Sequence, residues 1–289
     1  MQNEISLFVQ RKFAHSGILA NMKSSREHKA ITKAIIPTAG LGTRMEPFTK
    51  VIPKEMLPLG RKPVLAYIVE ELQAGGIEEI LVVTRADKPA IREYFKSWHG
   101  IYFIEENQAR GSGYAILMGK DFVGKEDFLV ALADAPLWEE RPGSLISDLA
   151  KVHSTYQAAI TMAIYQIPWG ETYLRGIMMP AKEVVPGKAV KLLGMIEKPT
   201  PETAPSKWAG VGRYIFSPDI FSALESLPPD KNGERGVTSG IQRLVQEGKA
   251  FYGYPLREGQ KRFDVGNYEG YVEALMFYAA RTNPALTKY

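Results

Sequence analysis

Short apolar runs bounded by turn residues alternate with helical stripes along most of this chain. Ala34-Ile35-Ile36-Pro37 is an apolar run that stops at a glycine-rich turn, which predicts a buried strand. Pro63 opens a stripe in which Val64, Leu65, Ile68, Val69 and Leu72 share one helical face, and Gly75-Gly76 closes it. Ile80 to Thr84 is β-branched and apolar on both faces, the pattern of a strand covered on both sides. The spacing then predicts a helix over 89–98, a strand over 101–104 and a helix over 113–120. A further buried strand, Phe128 to Ala133, ends at Asp134. Strands alternating with helices predict β-α-β units.

The second half carries more strand, over 158–166, 192–196 and 209–216, with helices over 218–224 and 238–246. Tyr268, Val272, Leu275, Met276 and Ala279 recur at helical spacing and predict a final helix whose Tyr/Met stripe serves packing. Stretches containing Pro and Gly near 167–189 and 199–207 read as surface loops. The expected fold is α/β: a Rossmann-like mixed, mostly parallel sheet flanked by helices. Residues 1–32 stand apart as an N-terminal extension in which Arg11, Lys12, Lys23, Arg26 and Lys29 outnumber Glu4 and Glu27. They contain no secretory apolar region, and Ile5 to Val9 could form a docking strand or a turn of helix. Residues 33–289 form the main domain of this reading.

Composition narrows the chemistry. The chain has 289 residues, 45% of them hydrophobic and 24% charged, which is ordinary for a globular protein. Its apolar runs fall short of the ~20 residues needed to span a bilayer. There is no cysteine, which excludes disulfides, thiolate nucleophiles and Cys-ligated zinc, and which suits a reducing, cytoplasmic compartment. Four scattered histidines, His15, His28, His99 and His153, disfavour a His-rich metal site. A net charge of +4 suits small polyanions, and the dispersed basic residues do not form the aromatic-interleaved stripe of a nucleic-acid binder.

Ala39-Gly40-Leu41-Gly42-Thr43-Arg44 directly follows the first strand. Such a loop lets backbone N–H groups approach a phosphate closely, or it is simply a tight strand-to-helix turn. A dinucleotide fingerprint would need a third glycine where Met45 stands, and no acidic residue follows at the required distance. That leaves an NAD-dependent reading resting on Gly40 and Gly42 alone. Lys54 lies ten residues beyond Arg44, in Pro53-Lys54-Glu55-Met56-Leu57-Pro58, and two cations after a glycine turn suit a triphosphate.

This run resembles the signature of the nucleotide-sugar pyrophosphorylases, the sugar-1-phosphate nucleotidyltransferases. It is most similar to their bacterial UTP–glucose-1-phosphate uridylyltransferase branch. Later segments match in order: Asp134 after its strand, Glu197-Lys198-Pro199, Gly210-Val211-Gly212-Arg213-Tyr214 and Arg262-Phe263-Asp264-Val265-Gly266. The resemblance implies the nucleotide-diphospho-sugar transferase fold with a small sugar-side β extension. It implies transfer of a nucleotidyl group from UTP to glucose 1-phosphate, dependent on Mg²⁺, in a dimer or tetramer that binds neither nucleic acid nor membrane. Arg44, Lys54 and Lys198 are then the catalytic cations. Ala39, Gly40, Gly42, Thr43, Glu106, Gln108 and Gly111 bind the nucleotide. Glu197, Gly176 and Gly212 line the sugar, and Asp134 and Asp264 hold the metal. Each acidic residue also has a plainer reading, Asp134 as a turn or cap and Asp264 as the N-cap of the last helix.

Three positions depart from the family pattern. Ala133-Asp134-Ala135 stands where Gly-Asp-Asp or Gly-Asp-x is usual, and Thr238-Ser239 replaces Thr-Asp. Glu106 replaces a base-reading Gln; a carboxylate only accepts, which suits guanine's paired donors, while Gln108 lies two residues on. Another base (GTP or dTTP), another sugar 1-phosphate, or a non-catalytic nucleotide-sugar-binding relative are the alternatives.

Overall fold

The computed structural model describes residues 30–230 and 233–282, so the expectations for residues 1–29 lie outside it. The first half runs β1 (Lys33–Pro37), β2 (Pro58–Leu59), β3 (Lys62–Pro63), α1 (Val64–Ala74), β4 (Glu79–Thr84), α2 (Pro89–Phe95), β5 (Ile101–Glu105), α3 (Ser112–Leu117), α4 (Lys120–Val123) and β6 (Phe128–Ala131). Then follow β7 (Leu137–Trp138), α5 (Ser144–Thr155), β8 (Ile160–Gln166), β9 (Gly176–Pro180), β10 (Val190–Glu197) and β11 (Trp208–Phe216). The chain continues through α6 (Asp219–Glu225), α7 (Val237–Gln246), β12 (Phe251–Pro255), β13 (Lys261–Arg262) and α8 (Tyr268–Thr282). Three short 3₁₀ turns, Thr43–Met45, Phe48–Lys50 and Lys54–Met56, link β1 to β2.

One nine-stranded sheet organises these elements, in the order β5-β4-β1-β6-β11-β8-β12-β10-β9. Its β5-β4-β1-β6 block is parallel throughout, with Ile35 opposite both Leu81 and Val130. Beyond β6 the sheet is mixed: β11 is antiparallel to β6 and β8, and β12 is parallel to β8. Antiparallel β10 and β9 finish the order, and β9 also touches β11 through Ile177 and Ala209. Parallel pairing is therefore concentrated where the sequence alternates strand and helix. The antiparallel part lies where strands follow one another without a crossover helix.

Strand periodicity sends alternate residues to opposite faces, and both faces are covered. Ala34 and Ile36 pack with Leu65 and Val69 of α1, Leu149 of α5 and Tyr278 of α8. Ile35 instead joins Phe128, Val130, Ile116 of α3, Phe221 of α6 and Ile241 of α7. Two strands of the nine-stranded sheet escape the sequence pattern. Gly176–Pro180 lies in the stretch read as loop, and Phe251–Pro255 is too short and glycine-interrupted to show a period. Both are held by pairing with distant partners rather than by local preference. The helix expected over 113–120 is two short helices, α3 and α4. No helix among the described residues is long and apolar enough to cross a membrane.

The chain builds β4 and β5 to one side of β1 and β6 to the other. That reversal opens a crevice at the carboxyl ends of β1 and β6, where open α/β sheets bind ligands.

Candidate active site

The crevice is a cavity of about 450 Å³ whose lining includes Ala39, Gly40, Gly42, Thr43, Lys54, Glu106, Gly111 and Asp134. The loop after β1 is tied down at both ends. Thr38 donates its N–H and its hydroxyl to Val83 O, at 2.7 and 2.9 Å. Gly42 O accepts from Met45 N–H at 2.9 Å and from Thr49 Oγ1 at 3.0 Å. Gly42 takes φ +73°, and a Cβ there would lie 3.0 Å from Thr49 Cγ2, so both conformation and space favour glycine. Leu41 is exposed, and no N–H from Ala39 to Thr43 donates to a protein acceptor among the described residues.

Charge gathers at the mouth of this loop. Lys54 Nζ lies 2.5 Å from Asp134 Oδ2. Asp264, 130 positions later, is brought alongside by backbone pairing: β13 pairs with β7, Phe263 N–H donates to Pro136 O, and Val265 N–H donates to Asp134 O. A Cβ placed on Gly266 would sit 3.0 Å from Asp264 Oδ1, 3.2 Å from Asp134 Oδ2 and 3.2 Å from Arg44 Nη2. The two carboxylates and the Arg44 guanidinium therefore share one small space. Asn267, not Asp264, caps the last helix, its Oδ1 accepting from Gly270 N–H at 2.9 Å. Asp134 directs its carboxylate to Lys54 rather than to a turn N–H.

The electrostatics follow from these neighbours. Burial pushes the Asp134 carboxyl upward, but Lys54, Arg262 and Arg44 outweigh it and hold the group at about 2. Burial opposes the Lys54 ammonium, yet Asp134 and Glu55 raise it above its ordinary value. Asp264 is likewise driven up by burial and brought below its ordinary value by Arg262 and Arg175. Arg175 makes a short contact to Asp264 Oδ2, with Arg262 Nη1 3.6 Å from the same oxygen. Among the described residues no third carboxylate or histidine completes a metal cluster. Two converging carboxylates nevertheless fit Mg²⁺, which takes hard oxygen donors and fills its remaining positions with substrate phosphate and water.

The loop expected to read the base is braced by its own acid. Glu106 is buried; its Oε1 accepts from Gln108 N–H at 2.9 Å and Arg110 Nε at 3.3 Å, and its Oε2 accepts from Arg110 N–H at 3.2 Å. Its carboxylate is thus largely occupied by the loop itself, which removes the free paired acceptor that a guanine would need. Gln108 is exposed and does not line the cavity, whereas Ala109 and Gly111 do. This corrects the placement expected for Gln108: the left-handed turn at Ala109, φ +53°, carries the chain back to the cavity after it. Gly113 N–H donates to Arg235 O, and Arg235 N–H to Arg110 O, closing the loop against the segment that brings Glu234 to the cavity wall.

On the sugar side, Glu197 pairs with Gly176 across β10 and β9 and accepts from Thr238 Oγ1 at 2.8 Å. Lys198 is exposed, sits at φ +49° and donates its N–H to Arg175 O at 2.9 Å. Gly212 differs in surroundings: it is buried against Leu132 and Ala135, and its carbonyl accepts from Leu132 N–H at 2.9 Å. It therefore supports the strand end carrying Asp134. Next to it, Arg213 is fully buried and binds Glu71 bidentately at 2.9 and 2.6 Å. Sequence reading missed Glu71, Lys88 and Arg175 as site residues, because each is an isolated charge whose partner is distant along the chain, and it missed Arg262, which lies two residues before Asp264.

The profile of the nucleotidyl transferase family matches residues 33–281. The chain belongs to that family. Among its nucleotidyl transferase relatives, a UTP–glucose-1-phosphate uridylyltransferase of Mycoplasma pneumoniae is 38% identical over 285 residues, spanning 89% of this chain and 95% of the relative. That of Pseudomonas aeruginosa is 35% identical, spanning 86% and 95%. A UDP-glucose pyrophosphorylase structure complexed with UDP-glucose superposes with TM-score 0.79 at 33% identity, covering 87% of this chain and 99% of that one. The UDP-glucose pyrophosphorylase of Acinetobacter baumannii gives TM-score 0.80 at 27% identity, covering 89% and 99%. The nucleotidyl transferase fold expected from the sequence is therefore the fold of this chain.

Proposed function

We propose that this nucleotidyl transferase joins UTP and glucose 1-phosphate to give UDP-glucose and pyrophosphate. The observation that carries the reading is the convergence of Arg44, Asp134 and Asp264 around Gly266, with Lys54 on Asp134, at the mouth of a glycine-loop cavity. The relatives' names give the substrates. A phosphate oxygen of glucose 1-phosphate forms the new bond to the α-phosphorus of UTP, and the bond from that phosphorus to the bridging oxygen breaks. Pyrophosphate carries away the bonding electrons. The attacking phosphate is already ionised, so no general base is required, and positioning with electrostatics supplies the rate.

The unpaired N–H groups of the glycine loop bind phosphate oxygens. Arg44 and Lys54 stabilise the charge that develops on the α-phosphate and the departing pyrophosphate. Lys198 holds the incoming sugar phosphate, and Glu197 takes sugar hydroxyls. Asp134 and Asp264 would hold Mg²⁺, which when bound screens the two anions from each other and orients the α-phosphate.

Glu106 bears on the base. A carboxylate offers about four acceptor positions, and the loop uses three, leaving about one. Uracil presents a single N3–H there, whereas guanine presents two donor groups, so the count favours uracil. The test measures pyrophosphate release from UTP, dTTP, GTP, CTP and ATP with glucose 1-phosphate, in Mg²⁺ and in EDTA. Turnover is expected with UTP and Mg²⁺. Turnover with GTP but not UTP would overturn the base assignment, and no release from any pair would overturn the reaction.

A further inference from the structure

Lys88, in the loop between β4 and α2, takes no part in the chemistry above, yet it packs behind Gly40 and Glu55, which line the same cavity. Its ammonium donates to Thr38 O at 2.6 Å and Gly40 O at 2.8 Å, and it pairs with Glu55 Oε1 and Oε2 at 3.2 and 3.1 Å. Both side chains are buried, 9% and 1% exposed. A buried ion pair adds little net stability over an apolar substitute, so packing alone does not account for it. Glu55 is the residue after Lys54, while Thr38 and Gly40 belong to the glycine loop. One lysine thus grips both segments that face the phosphates.

Peptide geometry gives that grip a direction. In a trans peptide the C=O and the following N–H point opposite ways. Drawing the carbonyls of Thr38 and Gly40 down onto Lys88 turns the N–H groups of Ala39 and Leu41 away from it, toward the cavity that both residues line. Gly42 O, held by Thr49 Oγ1, sets the N–H of Thr43 in the same way.

We propose that Lys88, with Glu55 as its counter-ion, is a positioning residue that fixes the glycine-loop amides toward the triphosphate and ties them to the Lys54 segment. This rests on reading the cavity as a nucleoside triphosphate site. It differs from the family's direct phosphate contacts, because Lys88 acts only through the backbone.

The experiment compares wild type, Lys88→Met and the double variant Lys88→Met/Glu55→Gln, by calorimetric titration with UTP, KM for each substrate, melting temperature and backbone order parameters for residues 39–43. The single variant leaves a buried carboxylate unpaired and loses stability. The double variant removes that penalty and melts near the wild type. It is expected to bind UTP ~10–100-fold more weakly, the usual effect of removing an outer-shell support. Its KM for glucose 1-phosphate should stay within about threefold of wild type, and its loop order parameters should fall from the rigid value near 0.85 toward ~0.6. UTP affinity within about threefold of wild type in the double variant would overturn the proposal, as would equal losses for both substrates. Wild-type protein that binds no nucleoside triphosphate would instead overturn the reading of the site. The bridge is then judged by the free protein, where unchanged order over 39–43 refutes it.

Discussion

Replacing Lys54 by methionine removes the ammonium that lies 2.5 Å from Asp134 Oδ2 while keeping most of the side-chain volume. Two consequences separate cleanly. The first concerns folding. Asp134 is held at about 2 against an ordinary 3.8, which is worth roughly 2.5 kcal/mol of folding free energy. Because the folded value is the lower one, this contribution is complete above about pH 4 and is lost as pH falls through about 2. In the variant, burial still pushes the carboxyl upward and only Arg262 and Arg44 oppose it. Asp134 then titrates at a higher pH, acid unfolding begins at a higher pH, and forfeiting the wild-type Asp134 contribution costs roughly 2.5 kcal/mol at neutral pH, a fall in Tm of under ~10 °C.

The second consequence concerns rate. At pH 7.5 the wild-type Asp134, held at about 2, is fully ionised. What is missing is a cation at the developing charge, and the expected loss in kcat is ~10²–10³-fold, or ~2.7–4 kcal/mol. The assay is pyrophosphate release at saturating UTP and glucose 1-phosphate, with Tm recorded from pH 3 to 8. A kcat within about threefold of wild type, accompanied by the acid-side change in Tm, would refute the reasoning. Lys54 would then be a counter-ion for Asp134 and nothing more.

Two further outcomes are expected. Arg213→Met strands the buried Glu71 carboxylate and should cost ~3–5 kcal/mol in urea unfolding, most of it recovered in Arg213→Met/Glu71→Met; a single-variant cost below about 1 kcal/mol would contradict the pairing seen here. Gly266→Ala puts a methyl within 3.0–3.2 Å of Asp264, Asp134 and Arg44, so activity should fall by ~10²-fold while Tm changes by only a few degrees, and an active alanine variant would place the reaction elsewhere.

Much of this molecule was legible along the chain. The parallel half of the sheet announces itself, because each strand is a continuous apolar run and α1 repeats its apolar face at helical spacing. The glycine loop and the Lys54 segment were equally visible, since a phosphate cradle and its cations lie close together in sequence. The antiparallel edge was not: β9 and β12 owe their extension to partners far along the chain, and neither carries a period of its own.

The same division holds within the site. Sequence order supplied the family and most of the reacting groups, because those groups occupy short contiguous motifs whose chemistry depends on residue type. Tertiary structure decided which charges meet. Arg213 finds Glu71 across 142 positions and Arg175 finds Asp264 across 89, while Lys88 finds Glu55 across 33. It also decided that Glu106 spends its acceptors on its own loop and that Gln108 faces solvent. Hydrogen bonds and ion pairs act over a few ångströms of space and carry no signature in chain distance, so only the folded backbone could reveal them.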